Sequence, residues 1–397
     1  MKKLPIEIQT FSEIYEENYN YIDKTKYIYK LTTEGKAYFL SRPRKFGKSL
    51  LLSTIDELFK GNKSLFEGLY IYDKWDWEKS YSVIYLDLSG GDFRCPEQLE
   101  NSLEDMIMKS ARELEVSTYG KTLNGKFTDL IFETYKKTGE KVVVLIDNYD
   151  KPILDNIFEK SALKDIYGIL DNFYNIIKSN DKYIKFIFIT GILNIQDMSI
   201  FNLLSNIKDI TFDTNFSDIC GFTDNELQNN FKTNLKNIGE KLSLSKEDTL
   251  KEINIWYGDY CWDGENSVSN PISILKLFEY EKFSNYWFET ATSEFVKKLF
   301  EKSDNYDEII DETLEVEELR LKRFKIDYND FLLIFFQTGY MTIDKKIVRN
   351  IVNNEFIYYN FKYPNLEVSN SLIPYFAEFA LYERKFSQDN RNRNFIY

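Results

Sequence analysis

The sequence of 397 residues contains no histidine and only three cysteines, and both shortages limit the chemistry that it can support. Without histidine, the commonest general base is missing, and the serine and cysteine triads that depend on it are excluded. Cys95, Cys220 and Cys261 lie far apart and form no C-x-x-C pair, so the sequence offers no zinc site and indicates core thiols of a cytosolic protein. Catalysis would have to use carboxylates, lysine, backbone amides and a metal ion.

The sequence also lacks long apolar runs and an excess of positive charge. No run approaches the ~18 uncharged apolar residues of a membrane span, and the N-terminus has no apolar leader, so we expect a soluble, cytoplasmic protein. The 51 Lys and Arg residues are outnumbered by 64 Asp and Glu residues, giving a net charge of −13. This balance disfavours broad nucleic-acid binding through a basic surface, although it leaves room for a local basic groove. Aromatic residues, at 17%, provide ample core for two or three domains.

One segment has the form of a buried strand, a tight loop and the start of a helix. In the phosphate-binding pattern G-x-x-x-x-G-K-[ST], loop N–H groups cradle phosphates, the lysine reaches the β- and γ-phosphates, and the hydroxyl holds Mg²⁺. Gly47, Lys48 and Ser49 match its end, whereas Arg42 replaces its first glycine. A basic turn that only packs is the alternative interpretation. The nucleotide-binding residues predicted here are Arg42, Pro43, Arg44, Lys45, Phe46, Gly47, Lys48, Ser49 and Leu50.

Apolar strands alternate with helical patterns through the first half of the chain. After the loop strand at 38–40, strands are predicted at 82–88, 141–147, 184–191 and 207–212, and helices at 26–31, 97–137 and 166–177. This alternation predicts an α/β fold with a parallel sheet and right-handed crossovers. Beyond residue 223 we expect helical segments, an acidic run at 303–319 and a small module of helix and strand.

The strand that ends at Asp147 is typical of a Walker B strand, whose aspartate orients the water shell of Mg²⁺ beside Ser49. Together with the loop, it predicts ATP and Mg²⁺ as ligands, with Ser49 and Asp147 at the metal and Lys48 at the phosphates. Thr190 ends the next strand and is placed to sense the γ-phosphate; a threonine that caps the turn before Gly191 is the other interpretation.

Motifs spread over nearly the whole chain resemble the bacterial AAA-ATPase-like family. The resemblance implies a P-loop NTPase sheet of the additional-strand type, with the sensor strand between the loop strand and the Walker B strand, then a helical lid and a winged-helix-like C-terminal module. We therefore expect domains at 1–222, 223–302 and 303–397. The matching motifs are Leu4-Pro5-Ile6, Tyr21-Ile22-Asp23-Lys24-Thr25, Phe39 to Ser49, Asp147-Asn148-Tyr149-Asp150-Lys151-Pro152, Thr190-Gly191, Cys220-Gly221-Phe222-Thr223, Asn270-Pro271-Ile272-Ser273-Ile274-Leu275, Asn285-Tyr286-Trp287 and Gln337-Thr338-Gly339-Tyr340.

Two departures from the family pattern bear on function. Relatives usually have Asp-Glu-Tyr-Asp after the Walker B strand, with the glutamate polarising the attacking water, and here that position is Asn148. An asparagine can position a water but cannot accept its proton, so Asn148 is assigned to catalysis together with Lys48, Asp147 and Thr190, and hydrolysis is expected to be slow. Many relatives also continue into a PD-(D/E)XK nuclease domain. Only 57 residues follow Tyr340, without an Asp…Glu-x-Lys pattern, so we expect no nuclease activity.

The leading hypothesis is an ATP-binding protein, a slow Mg-dependent ATPase that acts as a nucleotide-gated switch. The alternatives are a nucleotide-bound scaffold without turnover, which Asn148 favours, and a nucleic-acid-associated regulator, which the acidic balance opposes. A protein partner or self-association is compatible with Tyr149, Asp150 and Lys151, which could organise the metal or a neighbouring subunit's contact. Asn270-Pro271 resembles a motif that approaches the nucleotide base, although a helix-start proline explains it equally well.

Overall fold

The chain folds around a five-stranded parallel sheet. The computed structural model describes residues 2–195, 207–291, 293–302, 314–322, 324, 330–351 and 354–377. Every residue of the first and third strands is buried, as expected for parallel strands covered on both faces. The strands are β1 (Ala37–Ser41), β2 (Val83–Asp87), β3 (Val142–Asp147), β4 (Ile184–Gly191) and β5 (Lys208–Asp209), arranged in the order β2-β3-β4-β1-β5.

The strand order brings the predicted site residues to one edge of the sheet. β4 pairs with β1 on one side and with β3 on the other. The predicted sensor strand therefore lies between the predicted loop strand and the predicted Walker B strand, as the sequence resemblance implied. Ser41 pairs with Gly191, and Asp87 pairs with Asp147. Because all five strands are parallel, their carboxyl ends meet at the edge where open α/β sheets bind ligands.

Helices cover both faces of this sheet because residues along each strand alternate between two cores. Leu145 faces the core that contains Leu52 and Ile55, whereas Val144 and Ile146 face the other core. The helices of this part are α1 (Phe11–Glu16), α2 (Thr25–Glu34), α3 (Lys48–Phe59), α4 (Pro96–Glu113), α5 (Leu123–Thr138), α6 (Lys151–Asn156) and α7 (Lys160–Ser179).

The single helix predicted over 97–137 is wrong, since the structure has α4 and α5 with a loop between them. Glu115 has φ 52°, which ends α4, and the Thr122 hydroxyl accepts a 3.1 Å hydrogen bond from the Gly125 amide at the start of α5. Gly120 and Gly125 also touch, because a Cβ on Gly120 would lie 2.4 Å from the Gly125 carbonyl carbon. The predicted strand at 207–212 likewise shortens to the two residues of β5.

The second half of the chain combines helices with two small antiparallel sheets. Residues 303–313 of the predicted acidic run lie outside the described residues. No helix of the described ranges is long and apolar enough to cross a membrane. The helices are Asp224–Asn230, Lys232–Leu242, Lys246–Tyr257, Pro271–Tyr280, Tyr286–Ala291, Ser293–Lys302, Glu318–Lys322, Phe331–Thr338 and 366–377, and the strands are β6 (Tyr260–Cys261), β7 (Ser267–Val268), β8 (Glu315–Glu317), β9 (Thr342–Ile351) and β10 (Asn354–Lys362). β6 pairs with β7, and the other three are ordered β8-β10-β9.

Candidate functional site

The loop of residues 42–47 joins β1 to α3 and has the backbone of an anion-binding turn. Lys45 and Gly47 both lie in the left-handed region, at φ 64° and 96°, and Gly47 immediately precedes the first helical residue. A Cβ on Gly47 would meet nothing within 4 Å, so the backbone conformation, and not lack of space, favours glycine here. The loop therefore presents the N-terminus of a twelve-residue helix, whose N–H groups and dipole favour an anion.

Lys48 is buried beneath this loop with a side chain that contacts the loop itself. Its Nζ atom donates to the carbonyl oxygens of Arg42 and Pro43, each at 2.8 Å, and only 5% of the residue is exposed. Burial lowers the pKa of Lys48, while the nearby carboxylates of Asp147 and Asp150 oppose that change. Lys48 thus carries an ammonium group that could exchange two carbonyl oxygens for phosphate oxygens without leaving the loop.

Asp147 offers a carboxylate with one oxygen in use and one without a partner. Its Oδ1 atom accepts hydrogen bonds from the backbone N–H of Asn148 at 2.9 Å and from the Thr190 hydroxyl at 2.6 Å. Its Oδ2 atom is buried and has no hydrogen-bond partner of good geometry among the described residues. Burial raises the pKa of Asp147, while the nearby hydroxyls of Ser49 and then Thr190 lower it. An uncompensated carboxylate oxygen beside a serine hydroxyl fits a hard cation such as Mg²⁺.

The protein alone supplies few ligands for such a cation. Among the described residues, no group of three or more Cys, Asp or Glu side chains could hold a metal ion. Mg²⁺ typically binds to one or two protein oxygens, with waters and substrate phosphates completing its octahedron. Ser49 and Asp147 fit that mode of binding.

Thr190 contacts Asp147 and does not line the cavity beside the loop. The residue is fully buried, and its hydroxyl donates to the Asp147 carboxylate. Its carbonyl oxygen also accepts a 3.0 Å hydrogen bond from the Tyr149 amide. Direct sensing of the γ-phosphate by Thr190 stays a prediction, whereas its contact with Asp147 is part of the structure.

The segment of Tyr149, Asp150 and Lys151, which follows Asn148, makes contacts that fix the backbone around the site. The Asp150 Oδ2 atom accepts hydrogen bonds from the amides of Ile192 at 2.9 Å and Leu193 at 2.6 Å, and burial raises its pKa. Tyr149 donates from its hydroxyl to the Leu193 carbonyl at 2.9 Å. Lys151 pairs with Asp155. These contacts tie the start of α6 to the segment after β4.

The Arg42 side chain is directed away from the cavity, although Arg42 occupies the position of the motif's first glycine. The guanidinium is fully buried and lies 4.1 Å from the centre of the Trp262 ring. Burial lowers the pKa of Arg42 to about 10. Its NH1 atom donates to the carbonyls of Ser41 at 2.8 Å and Thr211 at 2.9 Å. Neither Arg42 nor Pro43 belongs to the residues that line the cavity. Their assignment to nucleotide binding remains a prediction, and the side-chain contacts are those of an anchor.

A cavity of about 360 Å³ opens in front of the loop, which is within the usual range for ligand pockets. Its lining includes the polar or charged residues Arg44, Lys48, Ser49, Asn148 and Asp150. An apolar wall is formed by Pro5, Ile8, Tyr21, Ile22, Ile219, Phe222, Pro271, Ile272 and Leu275, and the polar residues Glu7, Gln9, Asn20 and Lys24 also line the cavity. The lining thus offers cationic groups to an anion and apolar surface to a flat, weakly polar group.

The apolar wall includes residues that the predicted site omitted. The N-terminal segment reaches the cavity because Lys24 donates to the Asp218 carbonyl at 2.8 Å and to the Glu226 carboxylate at 2.6 Å. The family motifs around Pro5 and Tyr21 were the available signal for this wall. Pro271 also lines the cavity, and Asn270 caps its helix by accepting a 3.1 Å hydrogen bond from the Ile272 amide.

Comparison of the sequence with known proteins identifies the family of this chain. A family model described as a predicted AAA-ATPase matches residues 5–201, which include the loop after β1 as well as β3 and β4. An "Uncharacterized protein in vnfD 5'region" of Azotobacter chroococcum mcd 1 is 36% identical over 372 residues, covering 94% of this chain and 69% of the relative. The similarity to this relative thus continues well beyond the part that the family model matches. The chain belongs to the predicted AAA-ATPase family.

Proposed function

We propose that the chain binds ATP with Mg²⁺ in the loop cavity and hydrolyses it slowly, acting as a nucleotide-gated switch. One observation carries the proposal: the parallel sheet brings the loop ending in Lys48 and Ser49 next to a buried, unpartnered oxygen of Asp147. Membership of a predicted AAA-ATPase family supports nucleotide binding independently.

Each predicted residue has a role in this scheme. The amides of residues 44–50 and the Lys48 ammonium hold the phosphates, whereas Arg42 and Pro43 contribute through their carbonyl oxygens, which position Lys48. Ser49 and Asp147 hold Mg²⁺, which when bound would neutralise negative charge on the phosphates. Asn148 orients the attacking water, and Thr190 acts through its hydrogen bond to Asp147.

Contacts between the loop and the second half of the chain support the proposed switch. The Trp287 indole nitrogen donates to the Arg44 carbonyl at 3.0 Å, and a Cβ on Gly339 would lie 2.8 Å from Pro43. Pro271 and Leu275 line the cavity. A ligand that moves the loop must therefore change its packing against the helices of 223–302, the proposed lid, and against the proposed winged-helix-like module that contains Gly339.

Asn148 keeps a second candidate open, a nucleotide-bound scaffold without turnover. The residue that follows the Walker B aspartate is an amide, which cannot accept the proton of the attacking water. The two candidates differ only in hydrolysis, so they share the binding site and require a kinetic test.

The test compares the natural chain with Lys48→Met by isothermal titration with Mg·ATP. Methionine keeps the length of the buried side chain but removes its charge, so we expect Mg·ATP binding to disappear. Lys60→Met is the matched control, since Lys60 lies in the turn after α3 and pairs with Asp56 away from the cavity. Circular dichroism checks that each variant is folded. Natural affinity in a folded Lys48→Met protein would refute the site.

Phosphate release from the titrated natural chain then separates the two candidates. Slow, Mg-dependent release supports the ATPase. Tight binding without release would leave the scaffold as the function.

A further inference from the structure

A carboxylate at the end of the neighbouring strand accepts a hydrogen bond from the Asn148 side chain. Asp87 ends β2 and pairs in register with Asp147, the last residue of β3. Its Oδ1 atom accepts a 3.0 Å hydrogen bond from Asn148 Nδ2. The same carboxylate accepts hydrogen bonds from the amide and the hydroxyl of Ser89, each at 2.8 Å.

The chemistry of the two groups determines which way the amide points. The Asp87 Oδ1 atom is the acceptor of this hydrogen bond, so it faces the NH₂ group of Asn148 and not its oxygen. The Oδ1 atom of Asn148 is then turned away from Asp87, and none of the described residues donates a hydrogen bond to it. Asn148 has φ 55°, a left-handed conformation that asparagine adopts more readily than most residues, so its backbone is also fixed.

The two partners of Asp87 both face the cavity. Ser89 and Asn148 belong to the cavity lining, and Asp87 does not. Asp87 can therefore influence a bound ligand through its partners, without touching it.

We propose that Asp87 is the positioning residue for ATP hydrolysis: its carboxylate orients the Asn148 amide so that Oδ1 accepts a hydrogen bond from the attacking water. The proposal rests on the proposed function of the loop cavity. In the step, a bond forms between the water oxygen and the γ-phosphorus, and the bond to the bridging oxygen breaks with its electron pair leaving on ADP. The water's proton passes to an oxygen of the transferred phosphoryl group, so no protein base is needed.

This arrangement also changes what a carboxylate at position 148 would do. A glutamate or aspartate there, by itself, would place a second carboxylate against Asp87, and the present hydrogen bond would be lost because a carboxylate does not donate. Exchanging the two residues avoids the conflict. Asp87→Asn combined with Asn148→Asp preserves size and the hydrogen bond, and places the carboxylate on the cavity side.

The experiment measures Mg·ATP affinity and single-turnover hydrolysis in the natural chain, both single variants and the double variant. For Asp87→Asn we expect an unchanged Kd and a hydrolysis rate lower by ~10–100-fold, because two facing amides do not select one orientation. Asn148→Asp should also be slow. The double variant should regain the natural rate or exceed it, because an oriented carboxylate can add general-base catalysis. Asp92→Asn is the control and should behave like the natural chain. Asp92 lies in the segment between β2 and α4 that also contains Ser89, but it pairs with Arg94.

The outcomes separate this proposal from the function on which it rests. If the natural chain fails to bind Mg·ATP, the proposed function fails and this role for Asp87 fails with it. If the natural chain binds and hydrolyses ATP and Asp87→Asn keeps the natural rate, only the role of Asp87 is refuted. Loss of both affinity and rate in Asp87→Asn, without recovery in the double variant, would show a purely structural residue and would overturn the proposal.

Discussion

The buried guanidinium of Arg42 allows a stability prediction whose magnitude follows from its contacts. Arg42→Met keeps the bulk of the side chain and removes its charge and its hydrogen bonds. The variant loses the hydrogen bonds to the carbonyls of Ser41 and Thr211 and the longer contacts to the Phe216 and Ser217 carbonyls at 3.3 and 3.4 Å. It also loses the stacking of the guanidinium against Trp262.

The favourable contacts outweigh the cost of burying the charge. The two short hydrogen bonds from a charged donor contribute about 4 kcal/mol together, and a desolvated cation stacked on tryptophan contributes about 2 kcal/mol. Burial lowers the pKa of Arg42 from 12.5 to about 10. A fall of that size corresponds to about 3 kcal/mol against the charged form, which methionine would recover. We therefore expect Arg42→Met to lower the free energy of unfolding by about 3 kcal/mol.

Thermal and urea unfolding, followed by tryptophan fluorescence, measure this loss. For a folding unit of 150–250 residues it corresponds to a fall in Tm of roughly 6–12 °C. Arg44→Met is the matched control, because Arg44 lies two residues away and its side chain lines the cavity. That variant should lose less than about 1 kcal/mol.

A double-mutant cycle with Trp262→Leu isolates the stacking contribution. We expect a coupling energy of about 2 kcal/mol between Arg42 and Trp262. An unchanged Tm for Arg42→Met, or a loss equal to that of Arg44→Met, would refute the interpretation of Arg42 as an anchor of the loop.

Two further predictions concern groups whose pKa is raised by burial. Cys95 should be the thiol that is labelled fastest at about pH 8 in the native protein. Cys220 and Cys261 are buried, and burial raises the pKa of Cys261 to about 11 and also raises that of Cys220. Rapid labelling that persists in Cys95→Ser would contradict this. The raised pKa of Asp150 means that the folded chain loses stability as pH rises above the usual 3.8 towards its folded-state value. Asp150→Asn should remove that loss, so the stability of the variant relative to the natural chain should increase as the pH rises above about 4, and a constant difference in urea midpoints would show otherwise.

Much of the sheet and part of the site could be predicted from short, contiguous segments. Gly47, Lys48 and Ser49 lie together at the start of α3, and the run of apolar residues ending at Asp147 is a strand by its own pattern. The order of β1, β4 and β3 was implied by resemblance to the family, and the structure has that order. The loop between α4 and α5 was missed because helical periodicity continues on both sides of it.

Contacts between distant residues could not be predicted in this way. Arg42 occupies a glycine position of the motif, and only the packed chain directs its side chain towards Trp262, far along the sequence. Thr190 bonds to Asp147 across 43 residues, and Asp87 reaches Asn148 across 61.

The sequence by itself determined the local chemistry, namely a glycine, a lysine and a hydroxyl at a helix start and a carboxylate at the end of an apolar strand. Those features depend on backbone conformation and on spacing within a few residues. Only the tertiary structure decided which polar groups are buried and which partners they meet. Whether a side chain such as Arg42 faces a ligand or the core depends on strand pairing and packing, which bring together residues that are distant in sequence.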